Sequence, residues 1–436
     1  MYNYNYATIL FVFFSLINPI NAQDILRVEE AVQIALENNY QIKIAANELQ
    51  IDEVSVSVGN AGMLPQVGLN LIDNNSVQYL SQTRSDGSVV ERDNAKNNSL
   101  NYGIALDWTL FNGLKMFADY EQLKETQKLG EAQLKQVILN KVGEVMITYF
   151  DLVQQKQQLT ALDSTIIISE QRVDLAYNRF IIGKASKLEV LNAQVDLNTD
   201  QTLMQRQKEL YMNTKVQLNE YLARDLKIDF EVVPEIFVDQ ALQLPELESL
   251  VAKENPTLQA EQINKRISEL ELKQTKALRY PTVFASTGYN FGRTESSLGF
   301  TTSSNSRGWN YGFGASLNIF DGFNQNRNEK IAKIQIETTE VAIAQRTQEL
   351  MSLVNTTYQT YLTNISLIEL EGKNEAIAQE NMEITVEKYR IGIIPTIEFR
   401  TAQLNYINAK VRYSNAKFQA KLSEIILKQL AGNLVL

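Results

Sequence analysis

The ionisable side chains of this chain that could do chemistry are carboxylates and Lys or Arg cations. Its 436 residues include 51 Asp and Glu and 41 Lys and Arg, but no His and no Cys. Without His the chain lacks the usual general base near neutral pH and the commonest metal ligand. Without Cys it lacks thiol nucleophiles, disulfides and thiolate metal sites. No carboxylate pair stands out from the charged stretches, so we predict no catalytic residue, no metal site, no cofactor and no enzymatic activity.

Two further classes of function are disfavoured by the composition. A glycine-rich phosphate loop is absent, because Gly312-Phe313-Gly314 falls inside an alternating segment where small residues serve packing. The formal net charge of −10 argues against a polyanion as the main partner. We therefore expect no nucleic-acid partner.

The N-terminus has the pattern of a secretory signal. An apolar run at 8–17, too short to span a bilayer as a helix, precedes a polar turn and the small residue Ala22. The segment 1–7 departs from the usual signal because it holds no Lys or Arg, and the competing interpretation is a buried N-terminal helix. We predict a signal peptide over 1–22, an exported mature chain and, since there is no Cys, no lipid anchor.

The chain repeats itself at an offset of 209 positions, as from Tyr102 to Tyr311. A repeat of this size indicates two copies of one structural unit. We predict that the units cover 23–235 and 236–436. The matched positions include Tyr102-Gly103 with Tyr311-Gly312, Phe111-Asn112-Gly113 with Phe320-Asp321-Gly322, Val145, Thr148 and Tyr149 with Val354, Thr357 and Tyr358, and Gly183, Glu189, Ala193 and Gln194 with Gly392, Glu398, Ala402 and Gln403.

Each unit contains two segments that alternate with a period of two, which is typical of β-strands. Large apolar residues occupy one face of these segments, and Gly, Ala, Ser, Asn or Asp occupy the other. One apolar face and one small or polar face is the pattern of a transmembrane β-barrel, although a β-sandwich with one buried face competes with it. The predicted strands cover 64–73 and 102–111 in the first unit, and 281–291 and 309–320 in the second. The polar stretches 74–101 and 292–308 are expected to form loops.

Aromatic residues lie near the ends of these segments, as in the interfacial girdles of membrane strands. We predict that they mark two membrane interfaces. They are Trp108, Phe111, Tyr289, Phe291, Trp309, Tyr311 and Phe320.

Very long helices follow the strands. The stretches 114–181 and 323–391 contain no proline and little glycine, and roughly 67 residues in a helix make a rod of about 100 Å. A narrow apolar stripe on such a rod favours coiled-coil-like packing. We predict long helical hairpins at 113–224 and 322–432, capped at their start by Asn112 or Asp321.

A shorter helix leads each unit. One is expected from Arg27 to about Gly59 and the other from near Pro245 to Pro281, since proline pushes its predecessor out of the helix.

Four strands per chain cannot close a barrel, and an open sheet edge in hydrocarbon leaves backbone groups unsatisfied. Several chains must therefore share one barrel. Two chains would supply eight strands around a filled interior, and three would supply twelve around a lumen. Small residues on the inner face favour three without excluding two.

The tip of each helical hairpin carries a resemblance to a known family. Arg179-Phe180-Ile181-Ile182-Gly183 leads into Leu188-Glu189-Val190-Leu191-Asn192-Ala193-Gln194, and Tyr389-Arg390-Ile391-Gly392 leads into Ile397-Glu398-Phe399-Arg400-Thr401-Ala402-Gln403. With these motifs the mature chain resembles the TolC-type outer-membrane efflux proteins over essentially its whole length.

The resemblance implies an α+β membrane protein built from duplicated β-hairpin and α-helical hairpin units. It implies a homotrimer, with a twelve-stranded barrel in outer-membrane lipid above an α-helical tunnel in the periplasm. It also implies two partners, a periplasmic membrane-fusion adaptor and an inner-membrane pump of the RND, ABC or MFS type.

The resemblance further implies a periplasmic gate formed by acidic residues just after the tip glycines. Glu189 and Glu398 occupy those positions, and Tyr389 is available to hydrogen-bond a carboxylate such as Glu189. A second acidic position is Asn192 or Thr401 here, and the basic residue of the family's second tip is replaced by Ile394. The gate of this chain is therefore expected to differ from the family pattern, and an exposed helix face is the competing interpretation of both glutamates.

The adaptor-contact tips follow from the same match. Gly183 and Gly392 suit a reversal between long helices because glycine tolerates positive φ. Ile393 and Ile394 are expected to be exposed and apolar, as a contact surface would be. The two predicted tips are Gly183, Lys184, Ala185 and Ser186, and Gly392, Ile393, Ile394 and Pro395.

Three functions remain after this reading. The favoured one is the outer-membrane channel of a tripartite efflux system. The same tunnel could serve type I protein secretion, which the sequence does not separate from efflux. An exported coiled-coil scaffold without a pore is disfavoured by the duplicated strands.

Overall fold

The computed structural model describes residues 25–297 and 301–434. The predicted signal peptide at 1–22 lies outside the described residues. The first half contains β1 (Ile25–Leu26), α1 (Val28–Asn38), α2 (Tyr40–Ser55), β2 (Gln66–Thr83), β3 (Val89–Asn112), α3 (Lys115–Ile181) and α4 (Lys187–Tyr221). The second contains β4 (Glu231–Val232), α5 (Leu244–Glu254), α6 (Pro256–Ala277), β5 (Thr282–Ser296), β6 (Ser303–Ser316), α7 (Asn324–Arg390) and α8 (Thr396–Leu430).

The long helices of the two hairpins have the lengths expected from the sequence. Both α3 and α7 contain 67 residues, and both α4 and α8 contain 35. The order of elements is the same in the two halves. Whether the units divide between 235 and 236 stays a prediction.

The leading helix of each half is broken, where one continuous helix was predicted. Asn39 separates α1 from α2, and its side chain accepts hydrogen bonds from the Gln41 and Ile42 amides. Asn255 separates α5 from α6 and accepts from the Leu258 amide at 3.1 Å. Each asparagine also donates to a carbonyl at the far end of its own half, that of Tyr221 at 2.8 Å or Leu430 at 2.9 Å. A buried asparagine thus caps one helix and ties it to the end of another.

The first leading helix also ends earlier than expected. It stops at Ser55, ten positions before Pro65, and the chain then turns before β2 begins at Gln66. The second ends at Ala277, close to Pro281 as expected.

The strands form one antiparallel sheet in the order β2-β3-β5-β6. They contain 18, 24, 15 and 14 residues, so all four strands are longer than the predicted segments 64–73, 102–111, 281–291 and 309–320. Most of the stretches 74–101 and 292–308, which were expected to be loops, belong to strands. The strand predicted at 309–320 ends at Ser316 instead. The extra length is mostly polar, with only scattered apolar residues such as Val77, Tyr79 and Leu80, so the regular hydrophobic alternation that reveals a strand is lost there.

The first strand hairpin closes in a tight turn at Asp86 and Gly87. Gly87 has a φ of 81° and donates to the Arg84 carbonyl at 2.9 Å. The register of β2 and β3 shifts opposite Tyr79, and Asn94 at this point has a φ of 55°. Together these features indicate a β-bulge. The Asp-Gly pair is the sequence signal that could have revealed this hairpin.

In each half, the strand is joined to the following long helix by two successive residues with a left-handed backbone conformation, that is, with positive φ. Gly113 and Leu114 have φ values of 70° and 70°, and Gly322 and Phe323 have 69° and 64°. The predicted caps are confirmed, since the Asn112 side chain accepts from the Met116 amide at 3.1 Å and Asp321 accepts from the Gln325 amide at 2.7 Å.

The main core lies halfway along the helices, where β1 pairs with β4 in parallel. Buried Tyr149 on α3 donates its hydroxyl to the Leu26 carbonyl at 2.9 Å and accepts from the Val233 amide at 3.2 Å. Its repeat partner Tyr358 on α7 donates to the Leu242 carbonyl at 3.2 Å. Each tyrosine therefore fixes the segment that leads into its own half.

None of the helices in the described part of the chain combines the length and apolar character needed to cross a membrane.

Candidate functional site

One face of the sheet carries large apolar side chains in cross-strand rows. Aligned pairs put Leu69, Ile104, Tyr289 and Trp309 in one row. The ring centroids of Tyr289 and Trp309 are 5.3 Å apart, and those of Tyr289 and Phe291 are 5.1 Å apart. Phe291 in turn stacks on Tyr102 at 4.9 Å, a member of the cluster that the sequence reading missed. The structure thus brings three predicted aromatic residues into contact across neighbouring strands.

The other predicted aromatics lie nearer the helical end of the sheet. Trp108 pairs with Ala285 and donates its indole N–H to the Met63 carbonyl at 2.9 Å. Phe111 pairs with Val283 after a register shift, which places it on the same face. Tyr311 lies in the row between these groups, and Phe320 lies beyond β6 with its ring 5.4 Å from that of Phe323. Their assignment to two membrane interfaces stays a prediction.

The apolar face has a definite height. From Val283 to Phe291 along β5 its rows carry no charge until Arg307 pairs with Phe291, and Arg293 and Asp73 occupy the next row. Phe291 lies eight positions after Val283, a rise of about 26 Å along the strand, so the first charged row is reached close to the height of about 25 Å of the apolar band on outer-membrane barrels. The polar ends of the strands rise beyond this band.

The opposite face is mostly small and amide-rich, apart from Phe284, whose ring lies over Gly314. A Cβ at Gly103 would lie 2.2 Å from Oδ1 of Asn290, so the Asn290 amide lies directly over the glycine. The same amide donates to Oδ1 of Asn310 at 2.8 Å. This face is the one that would meet water if the other met lipid.

Both helical tips use the same backbone motif. The Gly183 amide donates to the Phe180 carbonyl at 3.0 Å, and the Lys184 amide donates to the Arg179 carbonyl at 2.7 Å. At the second tip Gly392 donates to Tyr389 at 3.0 Å and Ile393 donates to Lys388 at 3.0 Å. With φ values of 74° and 82°, the two glycines form Schellman helix ends.

The tip residues differ in exposure from the prediction at one position. Lys184, Ser186, Ile393 and Pro395 are exposed and Ala185 is half-buried. Ile394 is only 9% exposed, because it packs with Met382, Tyr389 and Phe399. The expectation of an exposed Ile394 was therefore wrong. Other exposed apolar residues near the tips were missed by the sequence reading, namely Ile181, Ile182, Leu188, Ile391 and Ile397.

The predicted gate residues are only partly brought together. Glu189 accepts from the hydroxyls of Thr396 at 2.9 Å and Tyr389 at 3.3 Å, and it lies 3.4 Å from the Arg179 guanidinium. Glu398 is exposed, and its carboxylate has no partner within the described residues. The two glutamates occupy matching positions of the repeat but have different surroundings.

A buried ionic network that the sequence reading did not assign lies further from the tips. Arg400 on α8 holds both oxygens of Asp200 on α4, at 2.8 and 2.9 Å. Ser169 donates to Asp200 at 2.6 Å, and Arg172 pairs with Asp196 at 2.7 Å. Burial would lower the pKa of Arg400, but the Asp200 hydrogen bond and the nearby charges of Asp200 and Asp196 raise it overall.

Nothing in this arrangement offers catalytic chemistry. Every carboxylate of the network is held by a cation or a hydroxyl, which makes it a cross-link between helices. Within residues 25–297 and 301–434, no group of three or more carboxylates is placed to hold a metal ion.

Comparison with known proteins identifies the relatives of this architecture. The sequence model described as outer membrane efflux protein matches residues 31–224 and 247–433. The chain is 20% identical over 411 residues to the probable efflux pump outer membrane protein TtgC of Pseudomonas putida, covering 93% of this chain and 82% of that protein. The antibiotic efflux pump outer membrane protein ArpC of Pseudomonas putida gives the same 20% identity over 411 residues, with 93% and 82% coverage.

Solved structures share the fold. The CmeC outer membrane channel of Campylobacter jejuni superimposes with a TM-score of 0.79 at 18% identity, covering 93% of this chain and 86% of that chain. The open state of the MtrE outer membrane channel of Neisseria gonorrhoeae gives a TM-score of 0.73 at 15% identity, with 94% and 89% coverage. The α+β fold predicted from the sequence is confirmed.

Proposed function

The chain belongs to the outer membrane efflux protein family, and we propose that three copies of it form the outer-membrane channel of a tripartite efflux system. The family assignment covers both halves of the repeat. The protein is accordingly a non-enzymatic transport component of the outer membrane, with its helices in the periplasm.

The open sheet carries the proposal of a shared barrel. Strands β2 and β6 are the edges of the four-stranded sheet, and each has a free hydrogen-bonding side. Pairing β6 of one copy with β2 of the next satisfies both edges. Three copies supply twelve strands and leave a lumen, whereas two would supply eight and fill it with side chains.

The two faces of the sheet support the orientation. The uncharged aromatic face suits lipid, and the glycine and amide face suits water. Gly103 and Gly288 are buried beneath neighbouring strand atoms, so the inner wall is smooth there. A lumen lined in this way leaves room for solutes.

The rods of 67 residues extend about 100 Å from the barrel. Six such hairpins from three copies would enclose a tunnel in the periplasm. A tunnel wall explains why the helices are so long, whereas packing in a globular core does not require helices of this length.

The partners that we propose are a periplasmic membrane-fusion adaptor and an inner-membrane pump. The exposed tip residues Ile182, Leu188 and Ile393 form an apolar surface at the end of the tunnel, where an adaptor would dock.

The names of the relatives favour efflux over type I protein secretion. TtgC and ArpC are named for efflux pumps, and ArpC for antibiotic efflux. The alternative of a scaffold without a pore leaves the apolar face of the sheet and its two open edges unexplained.

Purified protein in detergent tests the proposal. Light scattering coupled to size exclusion should give a protein mass of three chains, and planar bilayers should show long-lived channels. A single-chain mass, or three chains without conductance, would contradict it.

A further inference from the structure

Matching faces of the two helical tips are covered to different extents. We call the face of the second hairpin that meets the first hairpin the leading face; it consists of Tyr389, Thr396, Arg400 and Gln403. The offset of 209 positions maps these residues to Phe180, Lys187, Leu191 and Gln194. Tyr389 is 2% exposed and Gln403 1% exposed, whereas Phe180 is 37% exposed and Gln194 is exposed. The leading face of the first hairpin is therefore bare in a single chain.

The complementary face shows the reverse imbalance. We call the face that receives Thr396 and Arg400 the receiving face; in the first hairpin it includes Arg179, Glu189 and Asp200. In the second hairpin the matching residues are Lys388, Glu398 and Ala409. Lys388 and Glu398 are exposed and have no side-chain partner among the described residues. One copy thus carries a bare leading face and, at the level of Lys388 and Glu398, a bare receiving face, whereas Ala409, further from the tip, is only 2% exposed.

In a closed ring of copies, the exposed receiving face of one copy can pack against the exposed leading face of the next copy. A head-to-tail contact that closes by rotation uses the same pair of faces at every junction. Within a chain, the junction joins the receiving face of the first hairpin to the leading face of the second. Between chains, it joins the receiving face of the second hairpin to the leading face of the first hairpin in the next copy.

Transferring the observed contact of Glu189 with Thr396 by this rule gives a specific pair. Glu189 maps to Glu398, and Thr396 maps to Lys187. We propose that Glu398 forms an ion pair with Lys187 of the neighbouring copy, and that this pair links adjacent subunits at the tip of the tunnel. The inference rests on the proposed trimer, and the partner copy completes a site that one chain leaves open.

The chemistry of the substituted positions is consistent with this pair. Where Glu189 meets a neutral hydroxyl, Glu398 meets an ammonium group, and the Tyr389 position is taken by Phe180, which offers no donor. The buried network is not repeated either, because Leu191, Asn405 and Ala409 occupy the positions of Arg400, Asp196 and Asp200. The junction between copies is thus held at this level by fewer charges than the junction within a copy.

Cysteine pairs test the contact directly, because the chain has no Cys of its own. Lys187→Cys with Glu398→Cys, treated with a short thiol cross-linker in the purified trimer, should give covalent dimers and trimers on denaturing gels. Glu189→Cys with Thr396→Cys is the matched control and should cross-link within one chain without a change in mass. A trimer by light scattering that yields only monomers from the 187/398 pair would overturn the inference, whereas a single-chain mass would instead refute the proposed trimer.

Charge reversal gives a second test that does not depend on cross-linking. Glu398→Lys or Lys187→Glu alone should raise the open fraction of the channel in planar bilayers, and the two together should return it toward the unmodified protein. Lys184→Glu, which reverses a neighbouring exposed tip lysine, is the matched control and should not be rescued by Glu398→Lys. A double reversal no closer to the unmodified protein than either single change would overturn the ion pair.

Discussion

Glu189 on α4 accepts a hydrogen bond from the hydroxyl of Thr396 on α8, with 2.9 Å between the two oxygens. These residues are separated by 207 positions and belong to different halves of the repeat. Tyr389 and Arg179 reach the same carboxylate. One side chain therefore joins the two helical hairpins of a copy at their tips.

Glu189→Gln is expected to loosen this contact. The amide loses the charge that Arg179 and the two hydroxyls share, and a hydrogen bond to a charged group contributes about 1.5–3 kcal/mol. In planar bilayers, we expect the channel of the Glu189→Gln variant to be open for a larger fraction of the time than that of the unmodified protein. Tyr389→Phe should add less in the Glu189→Gln background than alone, because both changes break one network. Glu387→Gln, an exposed carboxylate paired with Arg390 nearby, is the control; equal effects from both glutamates would count against the contact.

Asp200→Ala should destabilise the helical hairpins much more than a surface change. It leaves Arg400 buried without its main partner and removes the acceptor of Ser169. Breaking a buried ion pair on one side costs about 3–5 kcal/mol. Thermal unfolding followed by circular dichroism in detergent measures the loss. Lys373→Ala breaks an exposed pair with Glu369 and should cost under about 1 kcal/mol; similar losses for both variants would refute the buried network.

Acid stability should depend on Glu231. Burial raises the pKa of Glu231, but its contacts with Lys156 and Lys215 outweigh burial and hold the pKa below its usual value of 4.5. A carboxyl group with a lowered folded pKa adds stability above the unfolded pKa and loses it as the pH falls through the folded one. The unfolding temperature of the native chain should therefore fall below pH 4.5 more steeply than that of Glu231→Gln. Exposed Glu48→Gln should keep the native slope; parallel curves for Glu231→Gln and the native chain would contradict the expectation.

Alanine at Gly113 should destabilise the protein more than alanine at Gly183. Both glycines have positive φ, 70° and 74°, which costs an L-residue roughly 1 kcal/mol. A Cβ at Gly183 meets open space, but at Gly113 it would lie 2.2 Å from the Ala277 carbonyl oxygen. Unfolding temperatures of the two variants measure the difference. Equal shifts would show that the strand-to-helix junction relaxes around the added methyl group.

The sequence predicted the helices far better than the strands. The length of a proline-free stretch with helical composition predicts the length of the helix, and α3 and α7 have the 67 residues expected. The predicted strands were too short because 74–83 and 89–101, beyond the apolar band, are mostly polar and lack a regular alternation. Nothing in their pattern distinguishes a solvated strand from a loop except the turn at Asp86 and Gly87.

Contacts between distant positions were the hardest to foresee. Tyr389 with Glu189 was expected from a family motif and is confirmed. The pair of Arg400 with Asp200 joins positions 200 residues apart, and neither residue is repeated in the other half. Ile394 was expected at the surface because the tip is exposed, but its side chain turns inward onto Tyr389 and Phe399. Such burial depends on side-chain direction, which residue type alone does not give.

The equal lengths of the two helical hairpins impose a shared constraint on later change. A residue lost from one α-helix withdraws its end by about 1.5 Å and turns it by about 100°. If only α3 lost a residue, its tip would no longer stand level with that of α7, and Glu189 would face away from Thr396. An insertion or deletion in one rod therefore changes the height and the orientation of its tip relative to the tip of the other half. The two hairpins have equal lengths, so a change in the length of either one is constrained by its contact with the other at the tips.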